Sequence, residues 1–274
     1  MAALIFALEG LVVKWLFIGD VTGKPGVAYV GSVLPGLIDR LQPDLVIANG
    51  ENASPTGRGI TPAAASALYD AGVEMITLGN HTWDQRDAYA IIESDERIVR
   101  PLNYQASAPG KGYRLCRAGD RQVAIINVLG RTHLGLFDCP FAAVDKALGD
   151  LRGVTEHVIV DVHAEVTSEK LALAWHLAGR VSAVVGTHTH VQTADERVLP
   201  GGTAYLTDVG MTGPYNGILG VRRETVIRRF IDQMPARFDV ADGPRQFSAV
   251  VVEVGGEGRA VAIERIFIHE NQGG

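Results

Sequence analysis

Short β-branched apolar runs alternate with amphipathic stretches along this 274-residue chain, and polar side chains follow directly after several of the apolar runs. The alternation predicts the strands and helices of one α/β domain with a mixed sheet. Strands are predicted at residues 13–18, 45–48, 74–78, 121–128, 157–162, 183–186 and 203–206. Since parallel strands present their carboxyl ends at one edge of a sheet, the side chains after these strands can meet in space.

The remaining pattern predicts helices and a terminal hairpin. Helices are predicted at residues 25–41, 61–71, from about 85, 141–151 and 168–179. Thr61 and Pro62 open the second of them, as N-cap and first helical residue. Two apolar runs near the end of the chain, with a glycine-rich link at residues 255–258, predict a β-hairpin.

The first thirteen residues are mostly apolar, but they include Glu9 and lack both a basic start and a small-residue cleavage site. The stretch is also too short and too interrupted to span a bilayer. We therefore expect residues 1–13 to be a peripheral N-terminal extension, with a misassigned start codon as the alternative. Residues 14–270 are expected to form the functional domain, since no repeat or linker divides them.

The balance of 25 basic against 31 acidic residues gives a formal net charge of −6, without a lysine or arginine run. This charge argues against a nucleic-acid-binding surface. A phosphorylated substrate would need local positive charge, such as metal ions, because the overall field repels anions. The two cysteines, Cys116 and Cys139, form no C-x-x-C motif. A cytoplasmic protein without a membrane segment or disulfide framework is expected.

Side chains of the types that ligate metals follow five of the predicted strands. They are Asp20, Glu51, Asn52, Asn80, His163, His188 and His190. Imidazole, carboxylate and amide groups suit iron, manganese, zinc or cobalt, and the lack of a thiolate argues against a structural zinc site. The set is larger than one tetrahedral ion requires, whereas two ions that share a bridging carboxylate would use all of it.

Each of these residues also has a purely structural interpretation. Asp20 can cap a turn, an asparagine beside glycine commonly stabilises one, and a single histidine is more often structural than a ligand. The conjunction carries more weight than any member, because five strand ends would each have to acquire such residues by chance. Arg58, in a glycine-flanked loop, can meet a phosphate or be an ordinary exposed arginine.

Five segments together resemble the signature of the calcineurin-like metallophosphoesterases, in the details of their YmdB-like branch. They are LFIGDVTGKPG, ANGENAS, LGNHTWD, VDVHAEVTSEK and GTHTHVQTAD, within a resemblance that covers residues 15–268. It implies a single-domain β-sandwich of mixed sheets flanked by α-helices. It also implies a metal-dependent hydrolase of phosphoric ester bonds, since members of this branch hydrolyse 2′,3′-cyclic nucleotides and other phosphodiesters or monoesters.

The chain departs from the broader family at two positions. The usual D-x-H after the first strand is Asp20-Val21-Thr22 here, so one histidine ligand is missing. Glu51 occupies the position where the broader family has a bridging aspartate, and Asn52 is placed to replace the missing histidine ligand. Both departures are typical of the YmdB-like branch.

The resemblance further implies a role for each site residue. The first ion would take Asp20, Glu51, Asn52 and His190. The second would take Asn80, His163, His188 and, as the bridge, Glu51. Iron is the expected metal, with manganese or zinc as alternatives. A hydroxide bridging the ions would attack phosphorus, and His81 would protonate the leaving group of a small phosphorylated substrate, a nucleotide.

Two other classes of function stay open. A non-catalytic regulator that binds a nucleotide or a partner would keep the fold, but it would have little need for so many convergent ligand-type residues. A metal-dependent amidase or deaminase would show no preference for phosphorus substrates. Metal analysis with a small substrate panel separates the three classes. The sequence leaves the oligomeric state open, a homo-oligomer included.

Overall fold

The computed structural model describes residues 12–270. The expected N-terminal extension therefore lies outside the described residues, except for its last two. The strands, in chain order, are β1 (Val13–Ile18), β2 (Asp20–Val21), β3 (Leu45–Asn49), β4 (Met75–Thr77), β5 (Ile98–Val99), β6 (Tyr113–Ala118), β7 (Arg121–Leu129), β8 (His157–His163), β9 (Ala183–Thr187), β10 (Arg197–Leu199), β11 (Thr203–Leu206), β12 (Met211–Pro214), β13 (Arg245–Val254) and β14 (Ala260–His269). The helices are α1 (Gly23–Leu41), α2 (Pro62–Asp70), α3 (Ala88–Ser94), α4 (Pro140–Asp150), α5 (Thr167–Leu177) and α6 (Arg223–Asp232).

The strands form two mixed sheets. The first has the order β2-β12-β13-β1-β3-β4-β5, with β14 paired to β13, and the second has the order β10-β11-β9-β8-β7-β6. In the first sheet β1, β3, β4 and β5 run parallel, while β13 is antiparallel to β1. In the second sheet β7, β8, β9 and β11 run parallel, and β6 and β10 are antiparallel edge strands.

The two sheets pack face to face, and helices cover their outer faces. Along β1 the side chains alternate between two cores, as the twofold period of a strand requires. Trp15 and Phe17 lie between the sheets in a cluster that includes Ile159 of the second sheet. Leu16 and Ile18 point the other way, into the core under α1, α2 and α3. A third cluster lies under α4 and α5. The predicted β-sandwich of mixed sheets flanked by helices is confirmed.

The predicted elements occur with small shifts at their ends. Thr61 caps α2 as expected, since its Oγ1 accepts a hydrogen bond from Ala64 N at 3.2 Å. The helix predicted from about residue 85 begins instead at Ala88. The residues before it form turns, in which His81 O accepts from Asp84 N at 3.1 Å. These turns continue from the end of β4 and hold His81 at that end of the sheet. Within residues 12–270 there is no helix with the length and apolarity that crossing a bilayer requires.

Candidate metal centre

The ligand-type residues lie in or just after strand ends on one side of the sandwich. Gly19 turns the chain from β1 into β2, where Asp20 lies, and a Cβ at Gly19 would be 2.0 Å from Gly210 O. Glu51 and Asn52 follow β3, and Asn80 follows β4. The second sheet supplies the histidines. His163 is the last residue of β8, and His188 and His190 follow β9.

His163 lies at the centre of the cluster and is completely buried. Its Nε2 is 2.9 Å from Asn80 Oδ1, 3.2 Å from Glu51 Oε1 and 3.0 Å from His188 Nδ1. One N–H group cannot serve three neighbouring acceptors at once. The crowding of acceptor atoms around a single point is the arrangement that a cation would satisfy.

A second group of atoms lies around Asp20 and His190. Asp20 Oδ1 is 3.8 Å from His190 Nε2, and it is buried without a hydrogen-bond partner among the described residues. Asn52 Nδ2 is 3.2 Å from His190 Nε2 and donates to Glu51 Oε1 at 3.0 Å. Glu51 therefore lies between the two groups, next to both Asn52 and His163. To present its oxygen to a cation, the Asn52 amide would rotate by half a turn. This rotation exchanges the amide oxygen and nitrogen, which are similar in size.

The backbone also leaves space at the centre. A Cβ at Gly79 would lie 2.3 Å from Glu51 Oε2 and 2.5 Å from His163 Nε2, so the chain can pass here only as glycine. His188 and His190 adopt left-handed φ angles of 98° and 65°. This irregular segment lets the two imidazoles reach different parts of the cluster, as two ions would require. An orphaned carboxylate oxygen and a cradle that a Cβ would fill both fit a resident metal.

Buried hydrogen bonds fix His163 on the side of its ring that faces away from the cluster. His163 Nδ1 lies 2.8 Å from Thr187 Oγ1, which donates to Asp161 Oδ1 at 2.7 Å. Asp161 Oδ2 accepts from Thr77 Oγ1 at 2.6 Å and from Asn49 Nδ2 at 3.1 Å. With Nδ1 donating to Thr187, Nε2 is left as the nitrogen that faces the cluster.

A buried ion pair holds the segment between the other two histidines. Lys170 and Asp208 are both 0 % exposed, with Nζ 2.7 Å from Oδ2. The same carboxylate accepts from Thr189 N at 3.0 Å and from Thr189 Oγ1 at 2.7 Å. Sequence reasoning missed Asp161, Lys170 and Asp208. Asp208 follows the predicted strand at 203–206, so the rule that found the ligands would also have found it.

His81 differs from the fully buried His163 because it is partly exposed and borders a cavity. Its side chain is 23% exposed, and Nδ1 lies 2.9 Å from Asp84 Oδ2. Its backbone N donates to Glu51 Oε2 at 2.9 Å, which ties it to the cluster. His81, Glu51, His188 and His190 line one cavity of about 260 Å³. A small ligand in this cavity would contact both the cluster and His81.

The charges in the cluster depend strongly on one another. Burial lowers the pKa of His163, but Glu51 and Asp20 outweigh it and raise that pKa to about 9. Burial raises the pKa of Glu51, yet the charge and hydrogen bond of His163 bring it below its usual range. Burial and the charge of His163 lower the pKa of His188 to about 3. Burial raises the pKa of Asp20. Carboxylates and imidazoles at these distances change one another's pKa, and a bound cation would favour the deprotonated form of each.

The family of the chain follows from comparison with known proteins. Residues 16–266 match the family described as YmdB-like protein. The chain belongs to this family. Its metallophosphoesterase fold and the resemblance read from the sequence are thereby confirmed. The structure contains a group that could hold a metal ion, as a metallophosphoesterase requires. It consists of Glu51, His163 and His188, whose ligand atoms lie within 4.8 Å of one another.

Three relatives illustrate the similarity. The chain is 48% identical over 257 residues to the 2′,3′-cyclic-nucleotide 2′-phosphodiesterase of Bacillus subtilis, covering 93% of this chain and 97% of that protein. A crystal structure of a novel phosphatase from Mycoplasma pneumoniae has a TM-score of 0.89 at 36% identity, covering 94% of each chain. A crystal structure of a hypothetical protein from Thermus thermophilus has a TM-score of 0.89 at 46% identity, covering 94% of this chain and 100% of that one.

Proposed function

We propose that this protein hydrolyses phosphodiesters, with 2′,3′-cyclic nucleotides as the substrate class, and uses two metal ions. The broader statement, that it is a hydrolase of phosphoric ester bonds, follows from its family. The finer statement draws support from the 48% identity to a Bacillus subtilis enzyme named for that reaction. The cytoplasmic location and the single domain over residues 14–270 stay predictions.

The observation that carries the proposal is the convergence of residues from five strand ends on one buried cluster. In the proposal the first ion is held by Asp20, Glu51, Asn52 and His190. The second is held by Glu51, Asn80, His163 and His188. When bound, such ions supply Lewis-acid stabilisation of phosphoryl oxygens and lower the pKa of water. Iron is the proposed metal, with manganese and zinc as alternatives.

The other residues would bind and orient the substrate and move one proton. His81 lines the cavity beside the cluster, and its Nδ1 hydrogen bond with Asp84 fixes the orientation of the ring. Nε2 is then the nitrogen that would donate a proton to the departing alkoxide, which is a poor leaving group without such help. The buried Thr187–Asp161 hydrogen bonds would keep His163 Nε2 directed at the cluster.

Elemental analysis of protein purified without chelator, paired with a substrate panel, tests the proposal. We expect about two equivalents of transition metal per chain. Turnover should be highest on 2′,3′-cyclic nucleotides, lower on linear diesters, and absent from amides and nucleobases. Chelation should abolish turnover, and readdition of iron or manganese should restore it. Full activity in metal-free protein, or no hydrolysis of any phosphodiester by metal-loaded protein, would contradict the proposal.

A further inference from the structure

The loop that carries Arg58 is held in a fixed conformation next to the candidate metal centre. Arg58 lies between Gly57 and Gly59, which both have a φ of 76°. Arg58 O accepts from Ser54 Oγ at 2.6 Å and from Gln85 Nε2 at 2.8 Å. The two hydrogen bonds to Arg58 O and the left-handed backbone of the flanking glycines thus fix this loop. The arginine side chain itself is exposed.

Among the described residues, no carboxylate lies within ion-pair distance of the Arg58 side chain. Its guanidinium makes no hydrogen bond or ion pair with any residue from 12 to 270. Of the described residues that line the 260 Å³ cavity, Arg58 alone is a lysine or arginine, whereas Glu51, Glu165 and Asp239 bring carboxylates. In a protein of net charge −6, Arg58 is thus the one permanent side-chain cation that the described lining residues would offer to an anionic substrate.

One side of the cavity wall is apolar. Leu219, Val221, Phe238 and Val240 line it together with Arg58. Val221 and Val240 pair across an antiparallel bridge. The Arg58 loop lies against this wall, because a Cβ at Gly57 would be 2.8 Å from Val240 Cγ2. The cavity therefore combines metal-ligand residues, one arginine and an aromatic-containing apolar surface.

We propose that Arg58 binds the phosphate of the substrate and that the wall around Phe238 receives the nucleobase. The inference rests on the proposed function and adds how the substrate is recognised. A planar guanidinium matches two phosphate oxygens with paired, charge-assisted hydrogen bonds. A base has an apolar face that stacks on an aromatic ring, and the face is similar for all bases. The arrangement selects a nucleotide without strong preference for its base.

The test combines turnover with binding. Metal-loaded wild type, Arg58→Ala, Arg58→Lys and Phe238→Ala are assayed on adenosine 2′,3′-cyclic monophosphate and on glycerol 1,2-cyclic phosphate, which has no base. Arg58→Ala should lower kcat/KM roughly 10- to 100-fold on both substrates, mainly through KM. Arg58→Lys should fall between it and wild type. Phe238→Ala should lose roughly 5- to 100-fold on the nucleotide alone.

Calorimetric binding of adenosine 3′-monophosphate to the same metal-loaded proteins separates this inference from the proposed function. Arg58→Ala should weaken binding by a similar factor with unchanged metal content. If wild type binds the nucleotide through Arg58 but hydrolyses nothing, the proposed function fails while the inference stands. If wild type hydrolyses cyclic nucleotides and Arg58→Ala matches it in turnover and binding, the inference is overturned.

Arg152→Ala is the matched control, since Arg152 is also an exposed arginine outside secondary structure but does not line the cavity. It should leave turnover and nucleotide binding within about twofold of wild type. Equal losses in Arg152→Ala and Arg58→Ala would show a general effect of surface charge and overturn the specific role of Arg58. Equal losses of Phe238→Ala on both substrates would overturn the placement of the base.

Discussion

At the scale of single residues, His81 and His163 have opposite surroundings although each lies near the end of a strand. His163 is fully buried, with Thr187 behind it and acceptors in front of it. His81 is partly exposed, pairs with an exposed carboxylate and borders the cavity. The first environment suits a fixed ligand and the second suits a group that exchanges a proton with a substrate.

His81→Ala should keep its metal and lose most turnover on alkyl phosphate esters. General-acid catalysis contributes roughly 10²–10⁴-fold, and a poor alkoxide leaving group needs all of it. An aryl phosphate with an activated leaving group should lose much less. The ratio of the two kcat values in wild type and variant is the measurement, and equal losses on both esters would refute the proton-donor role.

His163→Ala is the companion variant, with the opposite expected signature. The change removes an imidazole that touches Glu51, Asn80 and His188. Bound metal, measured by elemental analysis after desalting, should fall clearly below that of wild type. A variant with full metal occupancy would exclude His163 from the ligand set.

At the scale of secondary-structure elements, α5 supports the segment that follows β9. Lys170 extends from α5 to Asp208, and Asp208 in turn holds Thr189 between the two histidines with left-handed backbones. A left-handed φ in a residue with a side chain is costly, so it persists only where neighbouring contacts fix it. The ion pair is such a contact, and α5 thereby becomes part of the candidate site.

Lys170→Met should destabilise the protein by about 3–5 kcal/mol, because it leaves the Asp208 carboxylate buried without its partner. The free energy of unfolding from denaturant titration is the measurement. A double variant, Lys170→Met with Asp208→Asn, should recover much of this loss, since no charge is then buried alone. A single variant as stable as wild type would contradict a stabilising role for this buried ion pair.

Lys146→Met provides the comparison within a similar helix. Lys146 and Asp150 also form an ion pair, at 3.3 Å on α4, but both side chains are well exposed. Exposed pairs contribute about 0–1 kcal/mol, so this change should hardly alter stability. A loss equal to that of Lys170→Met would show that removing any lysine has this effect, and burial would not be the cause.

Most central elements were predictable because their apolar periodicity reports burial directly. β1 and β11 agree with their predicted bounds, and both are buried along nearly their whole length. The edge strand β6 was missed because its arginines and half-exposed positions break the apolar run. α6 was missed because exposed apolar residues on it obscure the pattern of a core-facing helix. Phe230 and Ile231 on it are 81% and 78% exposed, so these two apolar residues face solvent.

The candidate site was predictable to the extent that ligand-type residues follow predicted strands. Their burial, and the meeting of two different sheets, were not readable from local sequence. Lys170 shows the limit most clearly, since a lysine within a helix ordinarily faces water. Its partner is 38 residues further along the chain, and only the folded topology brings the two together.

At the scale of the whole molecule, the candidate metal centre joins the two sheets. Asp20, Glu51 and Asn80 come from the first sheet, and His163 and His188 come from the second. Ions held by both groups would connect the halves of the sandwich. Metal binding would therefore stabilise the entire fold as well as the site.

Saturating iron or manganese should raise the Tm of chelator-treated protein by about 5–10 °C. Metal at 100 times its Kd contributes about 2.7 kcal/mol, and a domain of this size gains about 2–4 °C for each kcal/mol. Differential scanning calorimetry at several metal concentrations measures the shift. His163→Ala serves as the control and should shift less. An unchanged Tm in wild type would contradict a metal centre shared by the two sheets.

The neighbour of β1 is β13, so a strand from the start of the described chain is paired with one that begins more than two hundred residues later. Gly19, at the turn into Asp20, donates its backbone hydrogen bond to Ser248 O. During synthesis on the ribosome, the support for Asp20 is therefore missing until the final hairpin has emerged. A protein shortened before β13 would contain every candidate ligand residue but would lack the strand that holds Gly19 beside Asp20. Metal capture at the proposed centre would therefore follow the synthesis and docking of β13.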